Sequence, residues 1–181
     1  MRVAVYGGSF NPPHVGHGMV AAWVHWTGLV DQVWLLPSYA HPFQRTLAPF
    51  DRRVAMCEAL ASVVGPWVRV ETIERHLPTP SYTFDVLEAL AAKHPGHEFR
   101  LVVGADVVQQ TARWHRWGDI AARYAPICVG RQGYPTPDGA VDFPGVSSTE
   151  IRARIAAGQP VQHLIPPPVL AEVGTLYEEA P

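Results

Sequence analysis

The sequence predicts an α/β fold with a doubly wound, mostly parallel sheet that carries helices on both faces. Short apolar runs typical of buried strands alternate along the chain with segments whose apolar residues recur at helical spacing. This alternation favours a parallel sheet, because a helix usually makes the crossover between two parallel strands. With 181 residues and 48% hydrophobic content, the chain has the size of one domain, and we predict a single domain over residues 1–181.

The individual elements follow from the same patterns. The apolar run at 3–6 predicts the first buried strand, and a helix is predicted to begin near Gly16. The stretch 131–145, rich in Gly, Pro and Asp, is interpreted as a surface connection. The remaining predicted strands are 33–36, 68–71, 100–103 and 125–129, and the remaining helical segments are 51–64, 83–93 and two within 147–177. This order is Rossmann-like, and ligands of such sheets bind beyond the carboxyl ends of the strands.

Composition narrows the classes of function. The net charge is −2, so a broad nucleic-acid footprint is excluded and phosphate recognition must be local. The chain shows neither a charged-then-apolar leader nor an apolar run of ~18 residues, which predicts a cytoplasmic protein without a membrane segment. Cys57 and Cys128 lack metal-ligand spacing, and we predict no metal site built by the protein. The sequence leaves the oligomeric state open, a homo-oligomer included.

The most informative segment is 7–17, Gly-Gly-Ser-Phe-Asn-Pro-Pro-His-Val-Gly-His. The two glycines allow a tight turn after the first strand, and the backbone N–H groups of the helix that follows favour an anion. His14 and His17 are three residues apart, so both can lie on one helix face and reach the same phosphate. Taken singly, these features also fit an ordinary turn, a metal site or two solvated imidazoles.

A second segment, 146–152, reads Val-Ser-Ser-Thr-Glu-Ile-Arg. Ser147 or Ser148 can cap a helix, and capping alone would explain the serines. Arg152 lies in the first helical turn, where its charge opposes the helix dipole unless an anion offsets it. The segment therefore also favours a bound anion.

The two segments together resemble the signatures of the nucleotidyltransferase superfamily, whose members move a nucleotide monophosphate from a triphosphate to an acceptor phosphate. The resemblance implies that His14, His17 and Arg152 are catalytic, with the histidines at the α-phosphate and the second segment at the β- and γ-phosphates. The ATP-binding residues that it implies are Gly8, Ser9, Phe10, His14, His17, Gly104, Asp106, Ser148, Thr149 and Arg152.

The middle of the chain bears on the acceptor. The blocks Pro-Ser-Tyr-Thr at 80–83, Val-Gly-Ala-Asp at 103–106 and Trp-His-Arg-Trp at 114–117 resemble those of the nicotinate mononucleotide adenylyltransferases. The resemblance implies a pyridine pocket in which Trp114 stacks on the base and the backbone N–H groups of Thr83 and His115 receive its carboxylate. Taken alone, these blocks also fit a helix start and two core aromatic residues. The residues implied to bind nicotinate mononucleotide are Tyr82, Thr83, Trp114, His115 and Arg45.

The chain departs from the family at one place. The family usually presents Pro-Pro-His-Lys after the second strand, whereas residues 40–45 read Ala-His-Pro-Phe-Gln-Arg. The only lysine is Lys93, which excludes a lysine of the Walker type. Arg45 or His41 can replace the missing lysine at a phosphate, and a solvated arginine is an equal alternative.

The resemblance implies transfer of the adenylyl group of ATP to nicotinate mononucleotide, which gives deamido-NAD and pyrophosphate. The implied cofactor is Mg²⁺, held mainly by the phosphates of ATP. Two alternatives stay open at this point. One is adenylyl or cytidylyl transfer to another acceptor, such as pantetheine phosphate. The other is a nucleotide-binding regulatory protein without turnover.

Overall fold

A computed structural model describes residues 1–39, 47–136 and 140–177. Its centre is one six-stranded sheet in the order β3-β2-β1-β4-β5-β6, and every neighbouring pair of strands is parallel. The strands are β1 (Arg2–Gly8), β2 (Gln32–Pro37), β3 (Val68–Val70), β4 (Glu98–Gly104), β5 (Ile127–Arg131) and β6 (Asp142–Phe143). The helices are α1 (Val15–Trp26), α2 (Phe50–Val64), α3 (Thr83–Lys93), α4 (Ala105–Val108), α5 (Trp117–Tyr124), α6 (Ser148–Ala156) and α7 (Pro167–Val173).

The sheet is buried on both faces. Alternate residues of β1 belong to different apolar clusters, with Ala4 in one cluster and Val3 and Val5 in the other. The first cluster includes residues of α1, α2, α6 and α7, and the second includes residues of α3 and α5. Burial on both faces explains why the central strands appear in the sequence as continuous apolar runs. The predicted α/β fold class, with helices on both faces, is confirmed.

The stretch 131–145 differs from the predicted irregular connection. The strand β6 lies within it and extends the sheet beside β5, with Gly130 opposite Asp142. A two-residue strand is too short to show an alternating pattern. Gly130 allows the close approach of β6, because a Cβ there would lie 2.8 Å from the carbonyl oxygen of Val141.

The strand order places four carboxyl ends side by side. β2, β1, β4 and β5 are neighbours, and the chain reverses its direction of winding between β1 and β4. Ser9 follows β1, Asp106 follows β4, and Arg131 is the last residue of β5. The predicted ATP-binding residues Ser9 and Asp106 therefore lie next to one switch point of the sheet, where ligands of this fold class bind.

Candidate active site

The segment between β1 and α1 carries the two predicted histidines. Gly8 ends β1, Ser9 follows, and Phe10 adopts a left-handed backbone with φ of 46°. The Phe10 ring is buried, with 1% of the residue exposed, and this burial offsets a conformation that residues other than glycine rarely adopt. The chain then reaches His14, the residue that precedes the first turn of α1.

His14 and His17 form a pair of contacting, tilted imidazoles. Their ring centroids are 3.8 Å apart, and the planes are inclined by 33°. The backbone N–H of His14 donates to Nδ1 of His17 over 3.1 Å, so Nδ1 is unprotonated and the neutral ring carries its proton on Nε2. Gly16 makes room for the pair, because a Cβ there would lie 3.1 Å from the His14 ring. His17 therefore has one nitrogen fixed as a donor.

Both histidines are neutral near pH 7. Burial lowers the pKa of His14 to about 4, and the positive charge of Arg131 acts on this pKa in the same direction. Burial also holds the pKa of His17 well below 6.5, with contributions from His14 and Arg131. Nδ1 of His14 is buried and has no hydrogen-bond partner among the described residues. A polyanion bound here would stabilise the protonated rings and would raise both pKa values.

The second signature packs directly against the first. Ser147 caps α6, because its Oγ accepts the backbone N–H of Glu150 over 3.1 Å. Ser148 donates to the carbonyl oxygen of Pro12 over 2.8 Å, and Arg152 donates to that of Asn11 over 2.7 Å. Thr149 lies beside Arg152, which donates to its Oγ1 over 3.4 Å. The structure therefore brings the two predicted phosphate segments together, although they are far apart in sequence.

Asp106 has a charged partner that is not among the predicted site residues. Gly104 ends β4, and a Cβ there would lie 2.5 Å from Oδ1 of Asp106. The Asp106 carboxylate accepts a hydrogen bond from the guanidinium of Arg131 at the end of β5. Arg131 thereby lies beside a residue predicted to bind ATP, at the carboxyl end of the sheet. The position of Arg131 at the carboxyl end of a strand is the signal by which the sequence could have revealed it.

The residues predicted for the pyridine pocket form a second group. Tyr82 is 49% exposed, and its ring lies 4.9 Å from that of His115, which is also exposed. Trp114 is half-buried and meets the Trp117 ring edge to face at 5.8 Å. Thr83 begins α3, so its backbone N–H belongs to the first helical turn, where N–H groups lack partners within the helix. The structure therefore brings the 80–83 and 114–117 segments together through the rings of Tyr82 and His115.

Three further expectations concern the missing lysine, a metal site and a membrane segment. Arg45 and His41, proposed in place of the family lysine, lie outside the described residues. Among residues 1–39, 47–136 and 140–177, no group of three or more His, Cys, Asp or Glu side chains could hold a metal ion. In the same part of the chain, no helix has the length and apolar character needed to cross a membrane.

The sequence is similar to those of known proteins. The cytidylyltransferase-like family matches residues 5–154. A protein of Anaeromyxobacter sp. (strain K) named "probable nicotinate-nucleotide adenylyltransferase" is 49% identical over 95% of this chain and 93% of its own length. A protein of the same name from Myxococcus xanthus is 39% identical over 94% of this chain and 90% of its own.

The fold also matches a solved structure. Nicotinic acid mononucleotide adenylyltransferase of Plasmodium falciparum, complexed with NaAD, superposes with a TM-score of 0.80 over 98% of this chain and 97% of that one. The sequence identity is 17%, so this likeness concerns the fold alone.

The chain therefore belongs to the cytidylyltransferase-like nucleotidyltransferases, the class that the sheet, the paired histidines and the second signature indicate. Within that class it belongs to the nicotinate-nucleotide adenylyltransferases. The predicted family is confirmed.

Proposed function

We propose that this protein transfers the adenylyl group of ATP to nicotinate mononucleotide and thereby makes deamido-NAD and pyrophosphate for NAD biosynthesis. The observation that carries the proposal is the pair of contacting imidazoles His14 and His17 at the start of α1, on a loop whose backbone is held by the second signature. The reaction forms one P–O bond, between an oxygen of the acceptor phosphate and the α-phosphorus. It breaks the bond from the α-phosphorus to the oxygen that leaves with pyrophosphate.

The protein contributes donors where negative charge accumulates. Nε2–H of His17 is fixed by the hydrogen bond at Nδ1, so it needs no reorganisation to donate to a phosphate oxygen. The start of α1 adds the positive end of its dipole, while its N–H groups at Val15 and His17 already donate to the carbonyl oxygens of Leu164 and His14.

Arg152, Ser148 and Thr149 pack on the loop before α1 and are proposed to serve the β- and γ-phosphates. The Ser148 hydroxyl donates to Pro12 in the structure, so it would exchange this acceptor for a phosphate oxygen when the nucleotide binds. Since the acceptor phosphate is already an anion, the step requires no general base.

Arg131 is proposed as a further cation of the triphosphate half. In the structure its guanidinium pairs with Asp106, and both groups are partly exposed, at 34% and 23% of their side chains. Phosphate oxygens are bidentate acceptors for guanidinium, so a bound triphosphate would compete with the carboxylate for the same donors. Asp106 then holds Arg131 in place until the nucleotide arrives.

Mg²⁺ is the proposed cofactor, and the residues present fit an ion carried by the nucleotide. Mg²⁺ prefers oxygen ligands and keeps much of its water. The side chains nearest the predicted α-phosphate are imidazoles, and the Asp106 carboxylate is already paired with Arg131. When bound, the ion would neutralise charge on the leaving pyrophosphate.

The acceptor half is proposed to lie at the 80–83 and 114–117 segments. Trp114 would stack on the pyridine ring, and Tyr82 would close the pocket beside His115. The backbone N–H groups of Thr83 and His115 would receive the carboxylate of the acid, and Arg45 is proposed to contact phosphate. The cytoplasmic location, the single domain, the oligomeric state and the lack of nucleic-acid partners stay predictions.

The test is pyrophosphate release from ATP and Mg²⁺ with a panel of acceptors. The panel contains nicotinate mononucleotide, nicotinamide mononucleotide, pantetheine phosphate and no acceptor. The proposal requires the fastest release with nicotinate mononucleotide, together with deamido-NAD as the separated product. Faster release with pantetheine phosphate would assign another transferase activity, and nucleotide binding without release would favour a regulatory protein.

A further inference from the structure

Two buried charges play no part in the reaction as described. Arg53 of α2 is 1% exposed, and Glu74, in a short 3₁₀ helix between β3 and α3, is 8% exposed. Burying a charged side chain is costly unless it is hydrogen-bonded. The hydrogen bonds of both side chains reach loops at the carboxyl end of the sheet.

Arg53 binds three separate pieces of backbone. Its Nε donates to the carbonyl oxygen of Ala48 over 2.9 Å, at the start of α2. One terminal nitrogen donates to Ser9 over 2.9 Å, and the other donates to Ser38 over 2.7 Å. Ser9 lies in the loop that leads to His14, and Ser38 follows β2. We call residues 9–14, between β1 and α1, the triphosphate loop. The Arg53 guanidinium therefore joins this loop to the segment that follows β2.

Glu74 makes the complementary contacts on the acceptor side. Its Oε2 accepts the backbone N–H of Tyr39 over 3.0 Å and the hydroxyl of Ser81 over 3.0 Å. Ser81 lies in the turn that precedes Tyr82 and Thr83, which are proposed for the pyridine pocket. We call residues 80–83 the acceptor turn. The Glu74 carboxylate therefore joins the segment after β2 to this turn.

The two charges act on the same peptide group. The carbonyl of Ser38, which accepts from Arg53, and the N–H of Tyr39, which donates to Glu74, belong to one peptide unit. A cation at the oxygen and an anion at the N–H polarise this unit in the same sense, so each hydrogen bond strengthens the other. Arg53 and Glu74 are therefore linked through the Ser38–Tyr39 peptide group. Arg53 also binds the triphosphate loop, and Glu74 also binds the acceptor turn.

We infer that Arg53 and Glu74 are positioning residues that set the triphosphate loop and the acceptor turn relative to each other through the Ser38–Tyr39 peptide. This inference rests on the proposed function, because it assigns the two substrates to those two loops. In-line attack requires the reacting atoms to approach to about 3–3.5 Å, and a misplacement of about 1 Å can lower the rate about 10²-fold. Loss of the pair should therefore lower kcat, and not only the affinity for one substrate.

The variants for the test are Glu74→Gln, Arg53→Gln and the double variant, with Arg53→Lys in case Arg53→Gln does not fold. Exposed neighbours give matched controls, namely Arg52→Gln on α2 and Glu58→Gln on the same helix. For each protein, kcat, both KM values and Tm are measured, and the assays are run well below the lowest Tm.

We expect kcat to fall about tenfold in Glu74→Gln and about 10²-fold in Arg53→Gln, with partial recovery in Arg53→Lys. Since both side chains act through one peptide, the double variant should be no slower than Arg53→Gln alone. The controls should keep the kcat of the unaltered protein. A folded Glu74→Gln with unchanged kcat and only a lower Tm would overturn the inference, and so would independent losses that multiply in the double variant.

Hydrogen exchange of the Tyr39 amide, followed by NMR, tests the pair without any activity. Glu74→Gln should accelerate this exchange in the folded protein, while Glu58→Gln should leave it unchanged. Unchanged protection in Glu74→Gln would overturn the inference even if the protein proves to be the proposed transferase. If the unaltered protein does not adenylylate nicotinate mononucleotide, the proposed function fails, and the exchange measurement still decides whether the peptide is held as described.

Discussion

The two halves of the candidate site are built differently. In the triphosphate half, His14 is buried and His17 is half-buried, and Ser148 and Arg152 hydrogen-bond to the backbone of the loop that carries them. In the acceptor half, Tyr82 and His115 are exposed, and their rings meet at 4.9 Å. The first half has its donors fixed by the protein, whereas the second presents rings and backbone donors to solvent.

This difference matches what each half has to do. Charge develops at the α-phosphate during the reaction, and donors fixed in advance stabilise it without reorganisation. The acceptor half has to admit a nucleotide, select its pyridine ring and release a larger product. We therefore expect substitutions in the triphosphate half to act mainly on kcat and those in the acceptor half to act mainly on KM.

The largest effect is expected at His17. Asn can accept the backbone N–H of His14 in place of Nδ1 but has no donor at the position of Nε2, whereas Gln can place an amide N–H near Nε2. His17→Asn should lower kcat by about 10²-fold or more, because it removes one preorganised donor. His17→Gln should retain more activity.

Steady-state kinetics and thermal unfolding of both variants check this expectation. If His17→Asn keeps its kcat and only its Tm falls, His17 is a structural residue. The proposed difference between the two halves of the site would then be wrong.

The next largest effect is the ratio of kcat/KM for nicotinate mononucleotide, the acid, to that for nicotinamide mononucleotide, the amide. Two backbone N–H donors suit the carboxylate of nicotinate mononucleotide, whereas the amide presents its own N–H₂ to one of them. A buried mismatch of this kind costs about 1–3 kcal/mol, which is about ten- to a hundredfold in kcat/KM. Competition between the two mononucleotides in one reaction measures the ratio directly, and a ratio near one would refute the pair of donors at Thr83 and His115.

At Arg131 we expect a smaller loss of kcat/KM, together with a change in the NMR titration of His14. Arg131→Gln should reduce kcat/KM for ATP about tenfold, as expected when a charge-assisted hydrogen bond is lost. The pKa of His14 should rise, because the positive charge that helps to lower it is gone. An NMR titration of His14 follows this shift, with Arg154→Gln as the control. If neither the kinetics nor the titration changes, Arg131 does not belong to the site.

In the acceptor half, Trp114→Ala should raise KM for nicotinate mononucleotide about tenfold, because stacking of a base on an aromatic ring contributes about 1–3 kcal/mol. KM for ATP should be unchanged. Trp26→Ala, at a tryptophan that is 74% exposed, is the matched control. A loss of ATP affinity in Trp114→Ala would show that this ring belongs to the triphosphate half and not to the acceptor half.

The smallest effect concerns stability against pH. The pKa of His14 is about 4 in the folded protein and 6.5 in a model peptide, so protonation favours the unfolded chain. The contribution of neutral His14 to the free energy of unfolding is fully present above pH 6.5. It is lost as the pH falls toward 4. His14→Asn should therefore show a weaker decline of Tm between these values than the exposed control His163→Asn. Equal declines would show that His14 is not buried in its neutral form.

The segments of the triphosphate half are easier to recognise in the sequence than those of the acceptor half. Its glycines and histidines lie within residues 7–17, and Ser148 and Arg152 lie in one short segment, so local patterns carry most of that information. The packing of the second segment on Asn11 and Pro12 could not be read from spacing, because these residues are far apart along the chain.

Other features depend on the tertiary fold alone. The short strand β6 has no periodicity to detect, and Gly130 shows its importance only when β6 lies beside it. Arg53 resembles any arginine of an amphipathic helix until Ser9 and Ser38 are placed around its guanidinium. Sequence patterns identify residues that act within one segment, whereas residues that join distant segments require the structure.

The central claim is adenylyl transfer to nicotinate mononucleotide, and the most direct measurement follows the label of ATP. Two parallel reactions contain the protein, Mg²⁺ and nicotinate mononucleotide, one with ATP labelled at the α-phosphate and one with ATP labelled at the γ-phosphate. We expect the α label in deamido-NAD and the γ label only in pyrophosphate. Label from the γ-phosphate in the acceptor product, or no labelled dinucleotide from either ATP, would contradict the central claim.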